Sequence, residues 1–244
     1  MIIEEIKHLC PDCGSDQLKR NGFTGGGKQK YKCKACGRYG SLNPQQSYPQ
    51  EVRDQVLSAY LERPSIRGLE RIFGINRLTI TSWIKKKAKS LPRLSEKLLP
   101  AQSGDVLELD EVWSFVQKKA NKSWLWIGLC RRTREVVAYA VGGRGADVCE
   151  QLKKSIPQAY CCAQTVSDFW EAYKNVFGRD HRGVGKDSGE TAHVERWNNT
   201  LRQRLCRFVR KTLSFSKIQE NHEASLKLFI HEYNITARHK YLSG

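Results

Sequence analysis

The sequence predicts a multidomain chain made of a small cysteine-anchored ribbon, an all-α segment, and an α/β domain whose mixed sheet is flanked by helices. Three observations carry this prediction. Two CxxC pairs fall within the first 36 residues, apolar side chains recur at helical spacing over residues 50–87, and β-branched and aromatic runs fill residues 106–167. The 244 residues are 39% hydrophobic, enough to bury more than one core and too apolar for a disordered chain. Against 25 Asp+Glu stand 42 Lys+Arg, a formal charge of +17 that points to a polyanionic partner. No run approaches the roughly 20 apolar residues that cross a bilayer, and the acidic start Met1-Ile2-Ile3-Glu4-Glu5 is unlike a signal peptide. A cytoplasmic protein with no membrane partner is therefore expected. Nine cysteines, an odd number, suit metal ligands plus free thiols better than a disulfide framework.

The first element is the ribbon, residues 1–45. Cys10-Pro11-Asp12-Cys13-Gly14 and Cys33-Lys34-Ala35-Cys36-Gly37 place two thiolates of each tight turn on one ion, and the following glycines admit the left-handed backbone that ends such turns. Asn21-Gly22 and Gly25-Gly26-Gly27 suggest a hairpin tip between two strands, so the segment resembles a zinc ribbon holding one structural zinc. A redox CxxC is the competing reading, but it needs a βαβ setting that is missing here. Lys19, Arg20, Lys28, Lys30, Lys32, Lys34 and Arg38 would follow a phosphate backbone or form a solvated face.

The second element spans residues 46–88. Pro49 opens a helix through Val52, Val56, Ala59 and Tyr60 that ends before Pro64. Ser65 then caps a helix whose Ile66, Leu69, Ile72 and Phe73 share one apolar face, and Gly74 ends it. A third helix begins near Asn76, burying Ile80, Trp83 and Ile84 and presenting Arg77, Thr79, Thr81 and Ser82, with Lys85 and Lys86 beyond. The pattern resembles a helix-turn-helix, whose second helix would read a major groove; an ordinary helical hairpin is the alternative. Residues 89–104, charged and punctuated by Pro92 and Pro100, read as a linker.

The third element, residues 105–244, orders its pattern as β-β-β-α-β-α. The strands are Val106–Val116, Ser123–Cys130, Glu135–Val141 and about Cys161–Ser167, with Arg131–Arg134 turning between the second and third. Helices are expected at Ala146–Ser155, through Trp170 and Tyr173, and from near Glu190. Acids fall on the first strand (Asp110), after the fourth (Asp168) and on the late helix (Glu195), the arrangement of a ribonuclease-H-like fold.

Leu107-Glu108-Leu109-Asp110-Glu111-Val112-Trp113, Ser167-Asp168-Phe169-Trp170, the stretch His193–Arg202 and the run Arg210-Lys211-Thr212-Leu213-Ser214-Phe215-Ser216-Lys217 resemble the transposases of the insertion-sequence-one family. That family also begins with a zinc ribbon and a helix-turn-helix, so the resemblance covers nearly the whole chain. It implies that Asp110, Asp168 and Glu195 are the DDE triad of a DNA transposase acting on terminal inverted repeats and target DNA. It also implies a homodimer or higher oligomer on DNA, in a nucleoid-associated prokaryotic setting.

Physical chemistry gives the triad a reason. Three converging carboxylates repel one another unless divalent cations neutralise them, and oxygen-only ligands with open positions suit two Mg²⁺ or Mn²⁺ ions. Arg202, two turns beyond Glu195, with Arg210 and Lys211, would grip phosphates. Each acid alone could be a cap or a surface group. Glu108, on the strand face of Asp110, and Glu111, opposite, either support the site from behind the triad or are simply hydrogen-bonded or solvated. His193 contacts the site or caps its helix, and Trp113, Trp124, Trp126 and Trp197 pack, with base stacking the alternative. Cys130, Cys149, Cys161, Cys162 and Cys206 read as buried thiols. Two rival functions remain, a ribonuclease-H-like nuclease without strand transfer and a non-catalytic repressor of the element.

Overall fold

A computed structural model of the protein describes residues 7–25, 27–42, 48–209 and 211–244. Two compact units result, Met1–Val52 and Arg53–Gly244. In the first, β1 (Leu18–Phe23), β2 (Gln29–Cys33) and β3 (Tyr39–Gly40) form an antiparallel sheet. The hairpin tip lies at Thr24–Lys28, closed by Thr24 N–H to Lys28 O at 2.8 Å. Asn21-Gly22 is not the tip: it lies inside β1, where the register shifts between Arg20 and Phe23 and Gly22 takes φ 70°. A bulge uses the same left-handed freedom as a turn, which is why Asn-Gly misleads there. Gly26 lies outside the described residues.

The second unit takes in most of α1 (Gln50–Tyr60), then α2 (Ile66–Phe73) and α3 (Arg77–Ser90). Ser65 Oγ accepts from Gly68 N–H at 3.0 Å, and Gly74 ends α2 at φ 64°. Asn76 caps α3 by accepting from Leu78 N–H at 2.8 Å, while the Glu70 carboxylate accepts Arg77 N–H at 3.1 Å. These caps satisfy amides that a helix start leaves unpaired. The expected α2 face is corrected in one place: Leu69 is buried, but Ile72 is 67% exposed. Trp83 is only half-buried, with the Arg53 guanidinium over its ring at 5.7 Å.

The large sheet runs β6-β5-β4-β7-β8, with β4 (Val106–Phe115), β5 (Lys122–Cys130) and β6 (Val136–Gly142) antiparallel and β7 (Gln164–Ser167) and β8 (His181–Gly183) added parallel. β5 is buried on both faces from Leu125 to Cys130, as its unbroken apolar run requires. Leu107 and Leu109 pack toward α4 (Ala146–Ser155) and α5 (Glu171–Phe177) in one core with Trp126, Cys149, Leu152 and Tyr173. Glu108, Asp110 and Ser114 alternate onto the opposite face, toward α6 (Ala192–Arg204) and α7 (Gln219–Ser243).

α7 ties the unit together. Asn234 bonds both the N–H and the C=O of Val136 at 2.8 and 2.9 Å, Ser225 meets Tyr60 of α1 at 2.7 Å, and Glu220 pairs with Lys85 of α3 at 2.6 Å. The 89–104 stretch is stapled rather than loose: Lys227 and His231 bond the carbonyls of Leu91 and Pro92, and Tyr160 and Arg132 those of Leu99 and Pro100. These side chains supply donors to carbonyls that lie outside any helix or strand ladder. Trp126, Trp197, Cys130 and Cys149 are fully buried, and Cys206 is buried. Cys161 and Cys162 are exposed, against expectation, because β7 begins only at Gln164 and leaves them in a surface turn. No helix among the described residues is long and apolar enough to cross a membrane.

Candidate functional site

Asp110 sits mid-strand on β4, Asp168 directly after β7, and Glu195 in the first turn of α6. β4 and β7 are neighbours and α6 packs on β4 and β5, so three acids distant in sequence come near enough for Asp168 and Glu195 to act on Asp110. The Asp110 thresholds report the meeting: burial, and then the charges of Glu111, Asp168 and Glu195, push its carboxyl up to about 7, against the Glu111 backbone N–H that favours its charged form. Asn198 of α6 donates to Asp110 Oδ2 at 2.5 Å and Glu111 N–H to Oδ1 at 2.8 Å. Trp170 N–H holds Asp168 at 3.1 Å, and Thr191 Oγ1 holds Glu195 at 3.1 Å. These bonds fix the carboxylates without cancelling their charge. The donor set is all oxygen and electrostatically strained, which fits hard divalent cations.

Several groups around this site are ones whose roles the sequence leaves open. Glu108 is fully buried and accepts His193 N–H (3.0 Å), Val194 N–H (3.1 Å), the His193 ring (2.8 Å) and Arg131 Nε (2.8 Å). It therefore anchors the N-terminus of the helix that carries Glu195, where a carboxylate meets unpaired amides and the positive end of the dipole. His193 thus serves the anchor. Arg131 also donates to Glu190 O at 2.6 Å, clamping the approach to α6. On the other face, Glu111 pairs with Arg144 (2.5 and 2.9 Å) and accepts a hydrogen bond from Tyr173 OH (3.0 Å). The Arg144 guanidinium lies between the Trp124 and Trp170 rings, 4.7 and 4.0 Å from their centroids, so Trp170 braces the segment after Asp168. The one available signal was Leu107-Glu108-Leu109: an acid inside an apolar strand must find donors.

The four ribbon cysteines converge, with all sulfurs within 4.8 Å of one another and pairs Cys10–Cys36 and Cys13–Cys33 at 3.7 and 3.6 Å. Four sulfurs around a zinc at 2.3 Å stand about 3.8 Å apart, so the cluster fits tetrahedral zinc. Backbone N–H groups of Cys36 and then Ala35 bring the Cys33 thiol down to about 7, toward the thiolate a metal needs. Among the described residues this is the one group of three or more ligand-type side chains drawn so close; the carboxylates of Asp110, Asp168 and Glu195 stand farther apart. Arg38 pairs with Asp12 at 2.8 Å rather than facing solvent alone.

On α3, Arg77 and Lys86 are exposed, and Thr79, Thr81 and Ser82 are half-buried. Thr81 Oγ1 donates to Arg77 O at 2.8 Å. Leu78, 75% exposed, joins Arg77 at the start of the helix. Lys85 is turned onto Glu220, which also meets Lys89 at 3.6 Å. Arg202 lies two turns past Glu195 on α6, Lys211 is exposed beyond it, and Arg210 lies outside the described residues.

The profile described as IS1 transposase matches residues 106–236, from the first residue of β4 into α7. Among curated proteins, the chain is 37% identical over 128 residues to the insertion element iso-IS1n protein InsB of Shigella dysenteriae, covering 52% of this chain and 95% of that protein. It is 35% identical over 128 residues to the IS1 protein InsB of Shigella flexneri, covering 52% and 93%. With an InsB protein of Escherichia coli it shares 30% identity over 166 residues, 66% of this chain and 96% of that one.

Proposed function

Because the chain belongs to the IS1 transposase family, we propose that it is a DDE transposase that binds the terminal inverted repeats of its insertion sequence and catalyses metal-dependent strand cleavage and strand transfer in a ribonuclease-H-like domain. The observation that carries this reading is the approach of Asp168 and Glu195 to Asp110, whose carboxyl is raised to about 7 by burial, with the charges of Glu111, Asp168 and Glu195 adding to it. These three would hold two Mg²⁺ or Mn²⁺ ions, which when bound supply charge neutralisation at the phosphate undergoing in-line displacement.

The chain's own residues do the positioning. Asn198 and the Glu111 amide orient Asp110, Thr191 orients Glu195, and Glu108 fixes the helix that delivers Glu195. Arg144 and Tyr173 compensate Glu111, limiting the negative charge around the triad. Arg202 and Lys211, with Arg210, grip phosphates along the substrate.

DNA is recognised by residues 46–88 acting as a helix-turn-helix. Arg77, Thr79, Thr81, Ser82 and Lys86 contact the groove and its phosphates, and the exposed Leu78 suits a thymine methyl. Lys85 shares its charge with Glu220, so its phosphate contact is the weaker one. Residues 1–45 form a zinc ribbon whose one structural zinc is held by Cys10, Cys13, Cys33 and Cys36, with 89–104 joining the DNA-reading part to the catalytic domain, 105–244. Joining two element ends requires a dimer or larger assembly on DNA.

The test incubates the full chain with a duplex bearing the element's end, a supercoiled target and Mg²⁺. Joined end–target product is expected. Cleavage without joining would identify the nuclease instead, and binding without either reaction the repressor.

A further inference from the structure

A basic cavity of about 500 Å³ opens beside the site, lined by the β5–β6 turn, α6 and α7. Arg134, Arg196 and Lys240 meet there, and among the described residues none of the three makes an ion pair. Elsewhere in this unit Arg131, Arg132, Arg144 and Arg238 each hold a buried carboxylate. Arg134 Nη1 is buried and finds no hydrogen-bond partner among the described residues. Burial, with the nearby Arg196 and Arg131 charges, holds the Arg134 guanidinium below its usual range. Arg134 also adopts φ 62°, where Gly or Asn would be at ease and a turn alone gives no reason for arginine.

Crowded, unpaired cations and a buried orphan donor call for an anion with several acceptor oxygens, and phosphate has that chemistry. The cavity is also long. His193, Arg196, Thr200 and Arg204 form one stripe of α6, spanning about 16 Å at the helical rise. A lone phosphate cannot fill that length, but successive phosphodiesters can. Arg196 follows Glu195 directly, so the stripe runs along the flank of the helix next to the triad.

We propose that this cavity grips consecutive phosphodiesters of the DNA strand passing α6, a contact separate from the triad and from α3. The inference rests on the transposase reading. Free polyphosphate presents the same oxygens, and the test separates the two sources.

Binding of a labelled element-end duplex by the full chain is followed by anisotropy across a salt series, without Mg²⁺. The variant Arg134→Gln/Arg196→Gln/Lys240→Gln should lower the slope of log affinity against log salt by about 2–3, the release expected for that many phosphate contacts. A charge-matched variant, Lys118→Gln/Lys119→Gln/Lys122→Gln, changes exposed hairpin positions and should lower it by less than about 1. If the triple variant folds poorly, Arg196→Gln/Lys240→Gln at two exposed positions should still lower the slope by about 2. An unchanged slope, or equal losses in the hairpin variant, overturns the proposal. So does tripolyphosphate raising the wild-type melting temperature, but not the variant's, while the DNA slopes coincide. Wild-type protein that binds no DNA refutes the transposase reading instead.

Discussion

Replacing Asp110 with Asn should stabilise the metal-free protein while abolishing its chemistry. Asp110 titrates near 7 in the folded chain against an ordinary 3.8, so folding holds its proton more tightly than the unfolded state does. The sign follows: stability is complete below about pH 4, falls as pH rises, and is lowest above pH 7. Three pKa units at about 1.4 kcal/mol each set a ceiling of about 4 kcal/mol, and partial exposure of the residue reduces it to about 2. Asn keeps the acceptor for Glu111 N–H. Its new amide can face Asn198 if that side chain flips, since Asn198 Oδ1 is buried without a partner among the described residues. Urea unfolding of wild type and Asp110→Asn, without divalent cations, should show a small gap at pH 5 that widens to about 2 kcal/mol by pH 8. Mg²⁺ should narrow the gap by stabilising wild type alone. A variant no more stable than wild type at pH 8, or a gap independent of pH, would refute this electrostatic account of the site.

Further outcomes follow from other parts of the chain. Cys33→Ser should reduce bound zinc from one per chain to none, read by metal analysis after dialysis, and expose the ribbon to proteolysis. Glu108→Gln should destabilise the protein by about 1–3 kcal/mol and lower kcat with little change in DNA affinity, because it loosens the helix carrying Glu195 rather than a DNA contact. His222, which burial and Arg207 hold down at about 4, stays neutral between Ser114 and Ser216. Stability should therefore fall as pH drops from 6.5 to 4, by up to about 3 kcal/mol, and His222→Gln should lack that portion in a pH series of melting curves.

What was legible in the sequence was what local chemistry and spacing encode. Ser65 and Gly74 announce the ends of α2 because a cap needs only its neighbours. The CxxC pairs declare their convergence by spacing alone. What was not legible depends on partners arriving from elsewhere. β8 has three residues with no alternation, and it exists through pairing with β7 and through His181, which bridges Thr165 and Ser167. Nothing in β4 says which helix start will land on Glu108. Ile72 has the right period for burial but no neighbour to cover it, and Lys85 reads as a free cation until α7, 135 residues later, brings Glu220. Periodicity predicts which face an element buries, not what reaches it.

The central claim is that Asp110, Asp168 and Glu195 together perform strand chemistry on DNA. Its most direct measurement is strand transfer of a pre-nicked element end into target DNA, with Mg²⁺, by wild type and by Asp110→Asn, Asp168→Asn and Glu195→Gln proteins shown to bind the end equally well. The account predicts joined product from wild type alone. Joining at the wild-type rate by any one of the three variants would contradict it.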